Sequence, residues 1–266
     1  MVLKTQRKCS LLLLIQLLFS AQVLLADPLS TDRPGFTDTT ATVAVGRYQI
    51  ESGYSYFYDD ENGQKTQLQT VPELSFRTGL AEETELRLFW SGYNRLRLDD
   101  ESTGISHLEG AADAVIGMKH RMHREDSALL DLSMIAELGL PVGTEDYSSD
   151  EVVPAFKLIW AKSLDERFSL SGNLNFAAQV IDDERFFELG SSFNLGYVLC
   201  DRLSGYIEYF GVYPGESTDV STSIHAWDTA LAYLLSDDMQ LDVRFGTGFN
   251  SAAADYEMGV GFSIRI

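Results

Sequence analysis

Asp255-Tyr256-Glu257-Met258-Gly259-Val260-Gly261-Phe262-Ser263-Ile264-Arg265-Ile266 ends the sequence, and its alternation is unbroken. Tyr256, Met258, Val260, Phe262, Ile264 and Ile266 fall on one side, with Glu257, Gly259, Gly261, Ser263 and Arg265 on the other. Successive side chains of a strand point to opposite faces, so this strand has one apolar face and one polar or bare face. Chain ends tend to fray, so an ending in mid-strand is unusual. It is expected where a barrel closes on its C-terminal strand, with lipid against the apolar face and a wet lumen against the polar one. A soluble two-sheet sandwich also alternates and is the competing architecture.

The same period recurs upstream. From Gly46, Tyr48, Ile50, Tyr54, Tyr56 and Tyr58 face one way, with Arg47, Gln49, Glu51 and Ser55 opposite. Segments near 66–77 and 83–97 set Leu68, Leu74, Phe76, Leu86, Leu88 and Trp90 against Gln69, Glu73, Ser75, Arg77, Glu85 and Arg87. Those near 110–121, 128–140 and 152–163 carry Asp113, Lys119, Asp131, Glu137 and Lys157 on their polar sides. Four further segments place Arg167, Glu188, Glu208 and Asp228 opposite rows of Leu, Phe and Tyr. In the next, Leu241, Val243, Phe245 and Phe249 oppose Gln240, Asp242, Arg244 and Asn250. The terminal segment makes twelve, so the expected fold is all-β: an antiparallel transmembrane β-barrel of about 12 strands.

The connections fall into two kinds. Ala81–Glu83, His123–Asp126, Leu164–Glu166, Cys200–Arg202 and Ser236–Asp238 are short and acidic, recurring at roughly 40-residue intervals, one hairpin pair per repeat. Asp59–Lys65, Leu98–Leu108, Pro141–Glu151, Ile181–Glu184, Pro214–His225 and Ser251–Ala254 are more variable and often longer. Short periplasmic turns and longer outer loops are the asymmetry of an outer-membrane barrel, and an even strand number returns both termini to the short-turn side. Tyr56, Tyr58, Trp90, Trp160, Tyr213 and Trp227 lie near segment ends, as interfacial aromatic girdles require, and tilt the reading away from a sandwich.

At the other end Lys4, Arg7 and Lys8 precede an apolar run from Leu11 to Leu25, followed by Ala26. The run is short for a spanning helix, which needs ~20 residues, and reads as a cleaved secretory signal over 1–26. Cys9 leaves with the signal, so Cys200 remains alone, without a disulfide partner. With 20 Lys+Arg against 40 Asp+Glu the formal charge is −20, and the signal removes only basic residues. A nucleic-acid partner is therefore not expected, since it requires clustered positive charge. Outer-membrane lipid is the expected surroundings.

Thr31-Asp32-Arg33-Pro34-Gly35-Phe36-Thr37-Asp38, followed by Val43-x-Val45-Gly46-Arg47-Tyr48-Gln49-Ile50-Glu51-Ser52-Gly53, resembles the opening of the family named after the MetA-pathway of phenol degradation. Leu138-x-Leu140-Pro141-Val142-Gly143, Asp228-Thr229-Ala230-Leu231-Ala232-Tyr233 and Gln240-Leu241-Asp242-x-x-x-Gly246-x-Gly248-Phe249-Asn250 are similar too, in order and spacing, from about Thr31 to Ile266. The resemblance implies an outer-membrane β-barrel inserted by the barrel assembly machinery and a transport role for small solutes, hydrophobic or aromatic ones among them. Ile266 departs from the aromatic residue that usually ends such barrels.

Catalytic chemistry finds little support. His107, His120, His123 and His225 fall in loops or beside a turn, and none sits in mid-strand beside a serine strand as a nucleophilic site requires. A barrel lipase remains the least favoured alternative, and neither metal nor cofactor is expected. The informative residues are those of lumen-facing parity: Arg47, Glu51, Glu73, Arg77, Glu85, Arg87, Asp113, Lys119, Asp131, Glu137, Lys157, Arg167, Glu188, Glu208, Asp228, Asp242, Arg244, Glu257 and Arg265. On the lipid side an Arg or Lys would cost roughly 2–4 kcal/mol at mid-bilayer. These side chains either line a conducting path or pair across strands in a closed barrel. Removing one charge from a wet lumen, as in Asp242→Asn, is expected to cost about 1 kcal/mol or less unless it is a buried ion-pair partner. Domain order is then signal 1–26, a periplasmic segment or plug over 27–42, and the barrel over 43–266.

Overall fold

Tyr48 and Ile266 exchange backbone hydrogen bonds of 2.9 and 2.7 Å, joining the first strand to the last. The fold is that of a computed structural model, which describes residues 29–126, 129–181, 184–215 and 222–266; the segment 1–26, expected to be a signal, lies outside them. The first six strands are β1 (Tyr48–Glu61), β2 (Gln64–Ala81), β3 (Thr84–Trp90), β4 (Tyr93–Asp100), β5 (Gly104–Ala111) and β6 (Ala114–His123). Then come β7 (Asp131–Leu140), β8 (Val153–Ser163), β9 (Phe168–Ile181) and β10 (Glu184–Cys200). β11 (Leu203–Pro214), β12 (Ile224–Ser236), β13 (Met239–Gly248) and β14 (Tyr256–Arg265) complete the sheet. β1 pairs antiparallel with both β2 and β14, which closes the wall, while β5 pairs with β4 alone. No described helix is long and apolar enough to cross a membrane.

The wall is a closed twelve-strand antiparallel barrel with two extra strands. β4 continues β3 along β2 past Ser91-Gly92, and β5 precedes β6 in the same manner across Ala112-Asp113. The segment 98–108, expected as a loop, is therefore mostly a hairpin with its turn at 101–103. Likewise 59–65 is strand except for Asn62-Gly63, whose φ of 55° and 88° fits the tight two-residue turn that only such residues adopt readily.

A bulge explains where simple parity fails. Gly53 faces Glu73 but Ser55 faces Thr70, so Val71 and Pro72 add a residue to β2. Pro72 cannot donate to the ladder, which makes the break natural there. Beyond it Leu68, Leu96 and Leu108 share a row with Phe57, while Gln69, Arg95 and Glu109 turn to the other face. Polar side chains on the outer face suit a flap that rises out of the hydrocarbon.

Elsewhere the two faces hold the expected chemistry. Val243, Val260, Ile207 and Leu174 are exposed on the outer surface, whereas Glu85, Lys119, Glu208 and Asp228 are wholly buried inside. Among the described residues the buried polar side chains far outnumber the buried apolar ones. A soluble sandwich core has the opposite composition.

Candidate functional site: the barrel interior

Residues 29–42 run inside the barrel. Leu29 enters beside the β12–β13 turn, donating its N–H to the Asp237 carbonyl at 2.9 Å. The chain climbs to Phe36, whose ring stacks on Phe210 with centroids 4.9 Å apart, and descends to Val45, which bridges Gly79. Contacts to strands all around the wall place this loop across the lumen.

Two sets of partners hold it. Asp32 lies between Arg77 at 3.2 Å, Arg87 at 3.0 Å and Lys119 at 3.0 Å, side chains of β2, β3 and β6. Asp38 reaches Arg87 at 3.1 Å and Lys157 at 3.0 Å, and Asn173 donates to it at 3.1 Å. Glu51 and Glu85 complete the cationic cluster, each bonded to Arg77 at 3.0 and 2.8 Å. Glu137 answers Lys157 at 3.5 Å. Buried charges persist only when paired and hydrogen-bonded, and the inner segment supplies two of the carboxylates that do so.

The tip is held differently. Glu208 on β11 accepts the N–H groups of Phe36 at 2.7 Å and Thr37 at 2.9 Å, together with the Thr37 hydroxyl. Thr37 also meets Ser192 at 2.6 Å. On the neighbouring wall Arg33 pairs with Glu73 and, at 3.5 Å, with Asp242. Arg244 binds the Pro34 carbonyl at 3.0 Å and Glu257 at 3.5 Å. Asp228 is buried beside Tyr206 and Arg244, on the same strand face as Ala226 and Ala230.

Not all residues of inward parity join this network. Arg47 and Arg265 meet Asp238 at the short-turn rim, at 2.9 and 2.7 Å, and Arg167 is exposed in the β8–β9 turn. All three lie where strands begin or end, so the wall no longer encloses them. Asp131 pairs locally with Arg121, and Glu188 accepts from Gln179 at 2.9 Å above Phe36. Asp113 belongs to the break between β5 and β6 rather than to a strand, and binds a loop. Sequence reasoning missed Asp32, Asp38 and Arg33 as partners of the wall, because no strand period marks an irregular segment.

The histidines stay outside this cluster. His120 meets Thr84 at 3.0 Å, His123 meets the Leu130 carbonyl at 3.0 Å, and His225 meets Tyr209 at 2.7 Å. No group of three potential metal ligands occurs among the described residues.

Two cavities remain beside the inner segment. One of about 330 Å³ lies toward the short-turn end, lined on the wall by Ala161, Ser171, Asn194, Ser204, Tyr206 and Ala230 and on the other side by residues 29–40. The second, of about 220 Å³, lies above Phe36 and is bounded by Lys157, Asn175, Gln179, Glu188 and Val212. The ion pairs thus run from β13 through β1 to β8, while Ala161, Ser171, Asn194, Ser204 and Ala230 leave room beside the inner segment along β8–β12.

A family model described as "Putative MetA-pathway of phenol degradation" matches residues 31–266. The chain belongs to that family. Among solved structures, an outer membrane channel from Pseudomonas putida F1 superposes with a TM-score of 0.69 at 13% identity, covering 88% of this chain and 99% of that one. The translocator domain of the autotransporter NalP from Neisseria meningitidis gives 0.56 at 11% identity, covering 83% of this chain and 88% of that one. The NanC porin gives 0.54 at 7% identity, covering 82% and 98%. At such identities the likeness is one of fold, and the shared fold is that of outer-membrane barrels. No curated protein sequence matches the chain.

Proposed function

We propose that this family member is an outer-membrane channel for small solutes, with residues 29–42 serving as a plug that narrows the lumen without filling it. The observation that carries the reading is the cavity of about 330 Å³ between the inner segment and β8–β12. Its barrel side is lined mainly by small and uncharged polar residues, among them Ala161, Ser171, Asn194 and Gln240, and conduction requires that a solute be held weakly enough to leave. Inner-face aromatics, Phe36 stacked on Phe210 and a half-exposed Phe89, together with the family's description, favour small aromatic or hydrophobic solutes. The signal over 1–26 would deliver the chain across the inner membrane, and the barrel assembly machinery would insert it into lipid.

One observation favours a second reading, a closed structural barrel without conduction. Arg77, Glu51, Glu85 and Lys119 are paired and wholly buried, as in a dry core. Flux of phenol-sized and sugar-sized solutes into vesicles bearing the purified barrel separates the two. The channel reading expects uptake of the smaller class above protein-free vesicles. Equal uptake with and without protein, for every solute, would leave the closed barrel.

A further inference from the structure

The loop joining β7 to β8 turns inward at the outer mouth, and one carboxylate ties it there. Asp113 Oδ1 accepts the Gly143 N–H at 2.9 Å and the Ser148 hydroxyl at 3.0 Å. Its Oδ2 accepts both the N–H and the hydroxyl of Ser149 at 2.8 Å. Hydrogen bonds to an ionised carboxylate are about twice as strong as neutral ones, so four converging on one group make a firm latch. The Thr144 N–H adds a bond to the Ala111 carbonyl at 2.9 Å, and the Tyr147 hydroxyl donates to the Leu108 carbonyl at 3.1 Å.

Register shows which side of the wall the loop covers. A Cβ on Gly110 would run into Thr144 and Tyr147, so the loop lies directly over that glycine. Gly110 pairs with Asn94, Asn94 with Thr70, and Thr70 with Ser55, which lends its hydroxyl to Glu73. That row faces the lumen, and Ser55, Thr70 and Asn94 are all buried. The loop therefore projects over the opening, not over lipid. Its Glu145 and Asp146 are exposed.

We propose that residues 143–149 form a constriction at the outer mouth that sets the largest solute admitted, and that Asp113 is the residue positioning it. This rests on the channel reading above. It adds a filter at the opposite end of the lumen from the entry of the inner segment.

The test uses the full chain, with Cys9→Ser and Cys200→Ser, and a reporter thiol at Leu96→Cys, which pairs with Leu108 beneath Tyr147. Maleimide labelling in vesicles is compared with and without Asp113→Ala. Release of the loop should speed labelling about tenfold or more, a tenfold change being ~1.4 kcal/mol of local opening. In the same vesicles Asp113→Ala should admit solutes that the parent excludes, and replacing 144–149 by a short Gly-Ser linker should reproduce the effect. Unchanged labelling would overturn the latch, and faster labelling with an unchanged solute limit would overturn the filter. A parent that passes no solute contradicts the channel reading instead, while the labelling comparison still decides the latch.

Discussion

The guanidinium of Arg33 lies directly against Gly261. Gly261 on β14 pairs across the strand boundary with Gly53 on β1, and a Cβ at either position would collide with that guanidinium. The two glycines form a flat seat in the wall on which the inner segment's arginine rests. Gly261→Ala is expected to lift Arg33 from Glu73 and Asp242 at a cost of ~1–3 kcal/mol, the range for overpacking a filled site. Gly259→Ala, whose Cβ would meet nothing nearer than 3.3 Å, should cost less. Denaturant titration of the two variants in vesicles compares them directly, and equal costs would show that Arg33 is not seated there.

Asp32 is the inner segment's main anchor, since it faces three cations at once. Asp32→Ala leaves Arg77, Arg87 and Lys119 short of a carboxylate in a buried place, a loss of about 3–5 kcal/mol when one partner of a buried pair is removed. The segment should detach while the wall, held by backbone ladders, persists. Protease digestion should then cut residues 29–42 in a barrel that still migrates as folded in unheated gels.

At Asp242 and Val243 two adjacent positions on β13 meet opposite surroundings. Val243 is 50% exposed on the outer face, so Val243→Arg should cost roughly 2–4 kcal/mol near mid-bilayer. Asp242 is buried against Arg33, so Asp242→Asn should cost about 1–3 kcal/mol, more than a wet lumen would charge. Refolding into vesicles with urea titration measures both, and an Asp242→Asn cost near zero would show a hydrated site instead.

The Asp113 latch carries a pH signature. Burial alone would raise this carboxyl, but hydrogen bonds from Ser149, Gly143 and Ser148 prevail and hold it below its ordinary 3.8. A depressed carboxylate stabilises the bound loop fully above the ordinary value and loses that contribution as pH falls through the folded one. The loop should therefore stay docked at neutral and mildly acid pH and open only below 3.8. Pepsin cleavage near Tyr147, followed across that range, reads the opening.

The strand period in the sequence was sufficient for the wall because lipid and lumen impose opposite chemistry on alternate residues. It made Glu85, Lys119 and Asp242 recognisable as one face. It failed at Val71-Pro72, where one extra residue inverts the faces, and at 98–108, where Asp99, Asp100 and Glu101 looked like loop but two of them end a strand. The inner segment was unreadable for another reason. Asp32, Arg33 and Asp38 are placed by partners 40 to 209 residues away, and no local pattern encodes such pairings. Only the unusual string around Arg33-Pro34-Gly35-Phe36 hinted at a specific role.

Single-channel recording in planar bilayers, on the parent barrel and on a variant lacking residues 30–41, tests the central claim most directly. Folding of both is first verified by heat-modifiable migration. A plug that narrows an open lumen predicts small, resolvable steps for the parent and clearly larger ones for the deletion. Silence from both folded proteins at every voltage would contradict the channel and leave a closed barrel.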